Sequence, residues 1–163
     1  MSQIYISIGS NIDRNHHINA SLNALEQTFG ELSISSIYES EAVGFEGENF
    51  YNLVVGAQTE LNMPEVVETL KKIEDENGRV RGGERFSART LDLDLLTYDD
   101  LIAEEPAQIP RDEITKNAFV LWPLAEIAPN DILPGSDKSY QQLWQAYDQN
   151  KQKLWTVPFT RNK

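Results

Sequence analysis

Two hydrophobic periods alternate along the chain, and their order restricts the fold more than any other feature. Residues 3–8 alternate, with Ile4, Ile6 and Ile8 on one side, as a half-buried strand requires. Gly9, Ser10 and Asn11 break that pattern. Ile18, Leu22, Leu25 and Phe29 recur at helical spacing, which predicts an amphipathic helix over residues 16–29 ended by Gly30. Residues 32–39 read as a strand whose alternation Ser35 and Ser36 blur, and residues 53–61 read as another. Asn62 and Glu65 have capping-box spacing, with Pro64 in the first turn. Val66, Val67, Leu70 and Ile73 line the inner face of the helix they open, which stops near Asn77 and Gly78. A polar, glycine-containing loop comes next, then a strand over residues 91–98.

The order strand, helix, strand, strand, helix, strand is the split βαβ arrangement of the ferredoxin-like class. It predicts an α/β (α+β) chain: a βαββαβ core with two helices on one face of a mostly antiparallel sheet. Residues 117–129 are apolar and punctuated by proline, so short helix and coil packed on the core are expected. Tyr140, Leu143, Trp144 and Tyr147 predict a last amphipathic helix, making a C-terminal helical extension. No repeat or linker interrupts the 163 residues, which suits a single domain over 1–163.

Composition removes several function classes. No cysteine is present, so disulfides and thiolate metal sites are excluded. The net charge of -12 argues against nucleic acid or anionic membrane as a partner. The N-terminus lacks a basic start and a long apolar run, and no stretch approaches the roughly 20 residues that span a bilayer. A soluble cytoplasmic monomer is expected.

The strand at residues 91–98 contains an anomaly. Leu91, Leu93 and Leu95 point to one side, leaving Asp92, Asp94 and Leu96 on the other. Aspartate is disfavoured in strands, and two on one face more so. Their backbones stand roughly 6.5 to 7 Å apart. Like charges this close repel unless a cation neutralises them, and hard oxygen donors without His or Cys favour Mg²⁺. Arg79, Arg81, Arg85 and Arg89 lie immediately upstream. Guanidinium groups bind phosphate oxygens bidentately, so the pairing of metal carboxylates with arginines points to phosphoryl transfer. Gly82 and Gly83 supply hinges for a loop that closes over a nucleotide. A P-loop motif is absent. His16 and His17 have no third ligand in view, and Ser10 and Ser40 have no adjacent base.

The segment GRVRGGERFSARTLDLDLL resembles the signature of the 6-hydroxymethyl-7,8-dihydropterin pyrophosphokinase family of folate biosynthesis. YISIGSNI near the start, NFYNLVV from Asn49 and FVLWPLAEIAP from Phe119 are similar to further family blocks in family order. The resemblance covers about residues 3 to 130. It implies a three-layered fold around the ferredoxin-like core, two Mg²⁺ ions, and transfer of pyrophosphate from ATP to the pterin hydroxymethyl group with release of AMP. By position, Asp92 and Asp94 would hold both ions. Arg79 and Arg89 would contact phosphates and stabilise the transferring group, with Arg81 nearby and Glu74, a helix carboxylate near the site, also on the ATP side. Phe86 stands where the family has a loop tryptophan that folds over the site. Asn52 would hydrogen-bond the pterin edge, Phe119 and Phe50 would stack on its ring, and Ser40, Val43 and Gly44 would add contacts.

The chain departs from the family pattern on the nucleotide side. Arg111 replaces the usual His after Pro110, and Asn117 replaces an Arg just before the block at Phe119. Asp112 and Glu113 add negative charge, and Ser87-Ala88 stand for the usual Gly-Pro. Arg111 can take over the lost cationic role toward ATP. The alternative is a divergent relative that binds pterin or nucleotide without the transfer.

Overall fold

A computed structural model of the chain describes residues 1–40, 49–78 and 91–162. The predicted first strand extends to Ser2–Ser10 (β1), and Ile4, Ile6 and Ile8 are fully buried. They face helix α1, Arg14–Phe29, which turns Ile18, Leu22 and Leu25 inward. Gly30 ends that helix at φ 83°, a left-handed conformation suited to glycine, and its N–H donates to the Glu26 carbonyl. Helix α2, Met63–Glu76, opens on the predicted capping box. The Asn62 side chain accepts from the Glu65 N–H at 2.9 Å, and the Glu65 carboxylate accepts from the Asn62 N–H at 3.0 Å. Val66, Leu70 and Ile73 join α1 over the same sheet face.

The single strand predicted at residues 32–39 is two: β2, Ser33–Ile34, and β3, Ile37–Ser40. Both pair with β4, Phe50–Thr59. Ile34 is opposite Val55 and Tyr38 opposite Asn52, so four steps on one strand span three on the other. That extra residue is a bulge. Ser35 stabilises it, its N–H donating to the Val54 carbonyl and its Oγ accepting from the Val54 N–H, each at 3.0 Å. Strand β4 begins three residues before its predicted start and ends two before its predicted end. Its pairing with all of β1, from Ser2 opposite Thr59 to Ser10 opposite Tyr51, sets those limits.

Strand β5, Asp92–Tyr98, pairs with the other edge of β1, and the final strand, Leu154–Val157 (β6), pairs with β3. The order is β5-β1-β4-β3-β6, every pairing antiparallel, with β2 also on β4. The βαββαβ expectation holds, and β6 is an addition that the sequence did not announce. On the face opposite α1 and α2 lie α3 (Glu113–Lys116), α4 (Ala118–Ile127) and α5 (Tyr140–Ala146). Their core contains Val54, Leu96, Ile114, Val120, Leu121 and Tyr140, completing three layers. The proline-punctuated segment is thus mostly helix. Pro123 lies inside α4, where it cannot donate to the Phe119 carbonyl one turn back. Among the described residues no helix is long and apolar enough to cross a membrane.

Candidate active site

Residues directly opposite one another on neighbouring strands share a sheet face. One such row runs across four strands: Tyr38 on β3, Asn52 on β4, Gly9 on β1 and Asp92 on β5. The next row carries Val54, Ser7 and Asp94. Val54 belongs to the core beneath α4, so both aspartates face the α3–α5 side while Leu93 and Leu95 are buried toward α1 and α2. The alternation read from the sequence is observed. Leu96 also joins the α4 side, at a register shift where Tyr5 and Ile6 oppose Thr97 and Leu95.

Asp92 and Asp94 are partly exposed. Arg111 Nη1 lies 3.8 Å from Asp94 Oδ1, and Arg111 Nη2 donates to Glu113 Oε1 at 2.7 Å. Burial acts to lower the Arg111 pKa, but the attraction of Asp94 and Glu113 holds the guanidinium above its ordinary value, so it remains charged. Among the described residues no three acidic or imidazole groups cluster as a metal cage. Two carboxylates on an accessible face nonetheless fit Mg²⁺, which commonly takes one or two protein carboxylates and fills its octahedron with water and phosphate oxygens.

Glu74 sits on α2, on the other side of β5, and is 4% exposed. Its Oε2 accepts from the Leu93 N–H at 2.7 Å. Strand β5 is at the sheet edge, so a carboxylate from a helix supplies an acceptor to the strand between its two aspartates. A cavity of about 180 Å³ adjoins this contact, lined by Lys71, Glu74, Leu93, Asp94, Pro106 and Arg111. Larger clefts lie elsewhere, including one of about 530 Å³ beside Ile37 and Phe159. Among the described residues the smaller cavity combines the cationic side chains of Lys71 and Arg111 with one of the paired aspartates.

At the other end of the row, Asn52 is buried and its Nδ2 donates to Ser40 Oγ at 2.9 Å. Phe50 is opposite Ser40 and is half-buried. Phe119, the second residue of α4, packs half-buried on the core beneath that helix, over the sheet face that carries Asn52 and the aspartates. The fold therefore places Ser40, Phe50, Asn52, Asp92, Asp94, Arg111 and Phe119 around one sheet face, with Glu74 behind its edge. Val43, Gly44, Arg79, Arg81, Phe86 and Arg89 lie outside the described residues.

Sequence reasoning missed Gly9. It separates Asn52 from Asp92, and a Cβ there would stand 3.3 Å from Asn52 Oδ1 and 3.9 Å from Phe50 Cδ1. Its lack of a side chain leaves the floor between the two polar groups clear. A glycine interrupting an alternating strand was the available signal. Gly9→Ala is expected to weaken binding of a ligand spanning Asn52 and Asp92 by about tenfold, the typical cost of overpacking, with little loss of melting temperature. Titration with a hydroxymethyl pterin, with thermal unfolding as the control, checks this.

The brace at residues 39 and 49 had no signal in the sequence either. Asn49 Nδ2 donates to Glu39 Oε2 at 3.0 Å, and Arg14 Nη1 donates to the Asn49 carbonyl at 2.9 Å. The Arg14 guanidinium also stacks over Tyr51, 4.0 Å from the ring centroid.

These positions define a small α+β fold of the split βαβ kind, with acidic, amide and aromatic side chains collected on one stretch of sheet. Residues 5–129 match the family model described as 7,8-dihydro-6-hydroxymethylpterin-pyrophosphokinase (HPPK), and the chain belongs to that family. It is 39% identical over 139 residues to the 2-amino-4-hydroxy-6-hydroxymethyldihydropteridine pyrophosphokinase of Aquifex aeolicus, covering 82% of this chain and 85% of that protein. The Haemophilus influenzae protein of the same name is 36% identical over 141 residues, covering 83% and 88%. A crystal structure of wild-type Plasmodium falciparum HPPK-DHPS superposes with a TM-score of 0.69 at 15% identity, over 90% of this chain and 44% of that one. At that identity the likeness concerns the fold, and this chain spans under half of that longer one.

Proposed function

We infer that the chain, as one domain over residues 1–163, transfers pyrophosphate from ATP to 6-hydroxymethyl-7,8-dihydropterin, giving AMP and the pterin diphosphate in folate biosynthesis. The observation that carries this reading is the pair Asp92 and Asp94, on one face of β5 and in the same rows as Asn52 and Val54. Family membership supports it, and the relatives are named for this transfer.

The pterin lies against Asn52 and Ser40, which meet its edge with an amide and a hydroxyl, while Phe119 and Phe50 present aromatic faces to its ring. Gly9 leaves room between that ring and the acids. Asp92 and Asp94 would hold the Mg²⁺, two ions by the family resemblance, and the metal would supply charge neutralisation at the triphosphate. Arg111, kept charged beside Asp94, meets the nucleotide phosphates, and Lys71 adds a second cation to the cavity lining. Arg79, Arg81 and Arg89 complete the phosphate contacts, with Phe86, Val43 and Gly44 at the pterin, on the strength of their places in the family signature. Positioning and charge neutralisation account for most of the acceleration, because the hydroxymethyl oxygen is a poor nucleophile. A soluble monomer acting in the cytoplasm suits this chemistry, which needs only small molecules.

Incubation of the protein with ATP, Mg²⁺ and the hydroxymethyl pterin is expected to release AMP in step with pterin diphosphate. ADP in place of AMP, or no product where a purified relative works, would sink the reading.

A further inference from the structure

Helix α4 carries Phe119 at its second position, yet its own N-cap residue does not cap it: Asn117 makes no side-chain bond to the first turn. The missing acceptor comes from far along the chain. Gln152 Oε1 accepts from the Ala118 N–H at 2.7 Å, and Gln152 Nε2 donates to Asn117 Oδ1 at 3.0 Å. One side-chain amide thus grips both residues that precede Phe119. Asn117 is held on its other side as well, its Nδ2 donating to Glu113 Oε2 at 3.2 Å.

The C-terminal tail in turn fixes Gln152. Two residues on, β6 pairs with β3, Leu154 opposite Ser40. Beyond β6 the tail is tied to α1. Asn162 N donates to Asn19 Oδ1 at 2.7 Å, Asn19 Nδ2 donates to the Asn162 carbonyl at 2.6 Å, and Arg161 Nη2 pairs with Glu26 Oε1 at 3.2 Å. The tail therefore reaches both sides of the pterin position, the strand that ends at Ser40 and the helix that begins before Phe119. Gln152, β6, Arg161 and Asn162 lie past residue 129, where the family match ends.

We propose that Gln152 is a positioning residue for the pterin: it caps α4 from a distant point of the same chain and so fixes the Phe119 ring against the bound heterocycle. The proposal rests on the assignment of a pterin to the face carrying Asn52 and Phe119. An amide acceptor at an otherwise uncapped first turn restrains the turn's direction, and Phe119 is inside that turn.

The test is a double-mutant cycle read by fluorescence titration with 6-hydroxymethylpterin, using the full chain. Gln152→Ala is expected to weaken binding about fivefold, the size of a lost helix cap, with a small change in melting temperature. Gln152→Glu keeps the acceptor for the Ala118 N–H but loses the donor to Asn117 Oδ1, and is expected to fall between the parent and Gln152→Ala. In a Phe119→Ala background, Gln152→Ala is expected to add nothing, because its effect passes through the ring. Unchanged binding in Gln152→Ala would overturn the proposal, as would a full additional loss on top of Phe119→Ala. If the parent chain itself fails to bind the pterin, the functional reading falls and this proposal falls with it; the parent titration alone separates that result from the others.

Discussion

Asp94→Ala is expected to lower AMP formation by about a thousandfold or more while leaving the chain folded. The size reflects the role assigned to the carboxylate. Losing a ligand of the ion that screens a transferring phosphoryl group forfeits several kcal/mol of transition-state stabilisation, and about 4 kcal/mol is a thousandfold in rate. The fold should survive because Asp94 faces away from the main core, with its side chain 39% exposed. Its ion pair with Arg111 is long and partly solvated, a kind worth about 1 kcal/mol or less. Activity and thermal unfolding measured on one preparation decide the matter. Loss of the folded signal would assign Asp94 a structural role, and retained turnover would remove it from the metal site. Asp94→Asn, which keeps the shape and removes the charge, should behave like the alanine variant in activity.

Glu74→Ala is expected to act through stability first. The carboxylate is buried, and it accepts from the Leu93 N–H at 2.7 Å on the edge strand. Truncation leaves that N–H without its acceptor and opens a hole beside Leu70 and Leu93, together costing about 3 kcal/mol. For a chain of this length that lowers the melting temperature by roughly 6 to 12 °C. Turnover should fall as well, because Leu93 lies between the two aspartates and a slack edge moves both. Glu74→Gln retains an acceptor oxygen and should recover most of the stability. A variant with an unchanged melting temperature and a raised KM for ATP would show instead that Glu74 serves the nucleotide directly, the role that family resemblance suggests. Both outcomes can be read from a melting curve and an ATP titration.

The two variants probe opposite sides of one strand, and the contrast explains what was legible beforehand. Asp92 and Asp94 could be picked out because their period of two puts them on one face whatever the strand packs against. Glu74 could be placed near the site only by resemblance. Its function at the edge of β5 depends on where α2 crosses that strand, 19 residues later in the chain. Arg111 was marked as a substitution in a known pattern, but its approach to Asp94 is a tertiary fact.

Local chemistry in the sequence determined the periods of β1, α1, α2 and β5, the capping box at Asn62 and Glu65, the glycine stop at Gly30 and the order that allows a βαββαβ sheet. Each of these depends on residues within a turn or two of one another, so sterics, capping and hydrophobic alternation are sufficient to specify them. Tertiary structure alone decided the split of residues 32–39 around Ser35, the row joining Asn52, Gly9 and Asp92, the pairing of β6 with β3 and the reach of Gln152 to Ala118. These contacts join residues tens of positions apart, and a strand of only four residues such as Leu154–Val157 is too short to carry a periodic signal of its own. Its partner edge on β3 stabilises it, and that edge exists only once the sheet has formed.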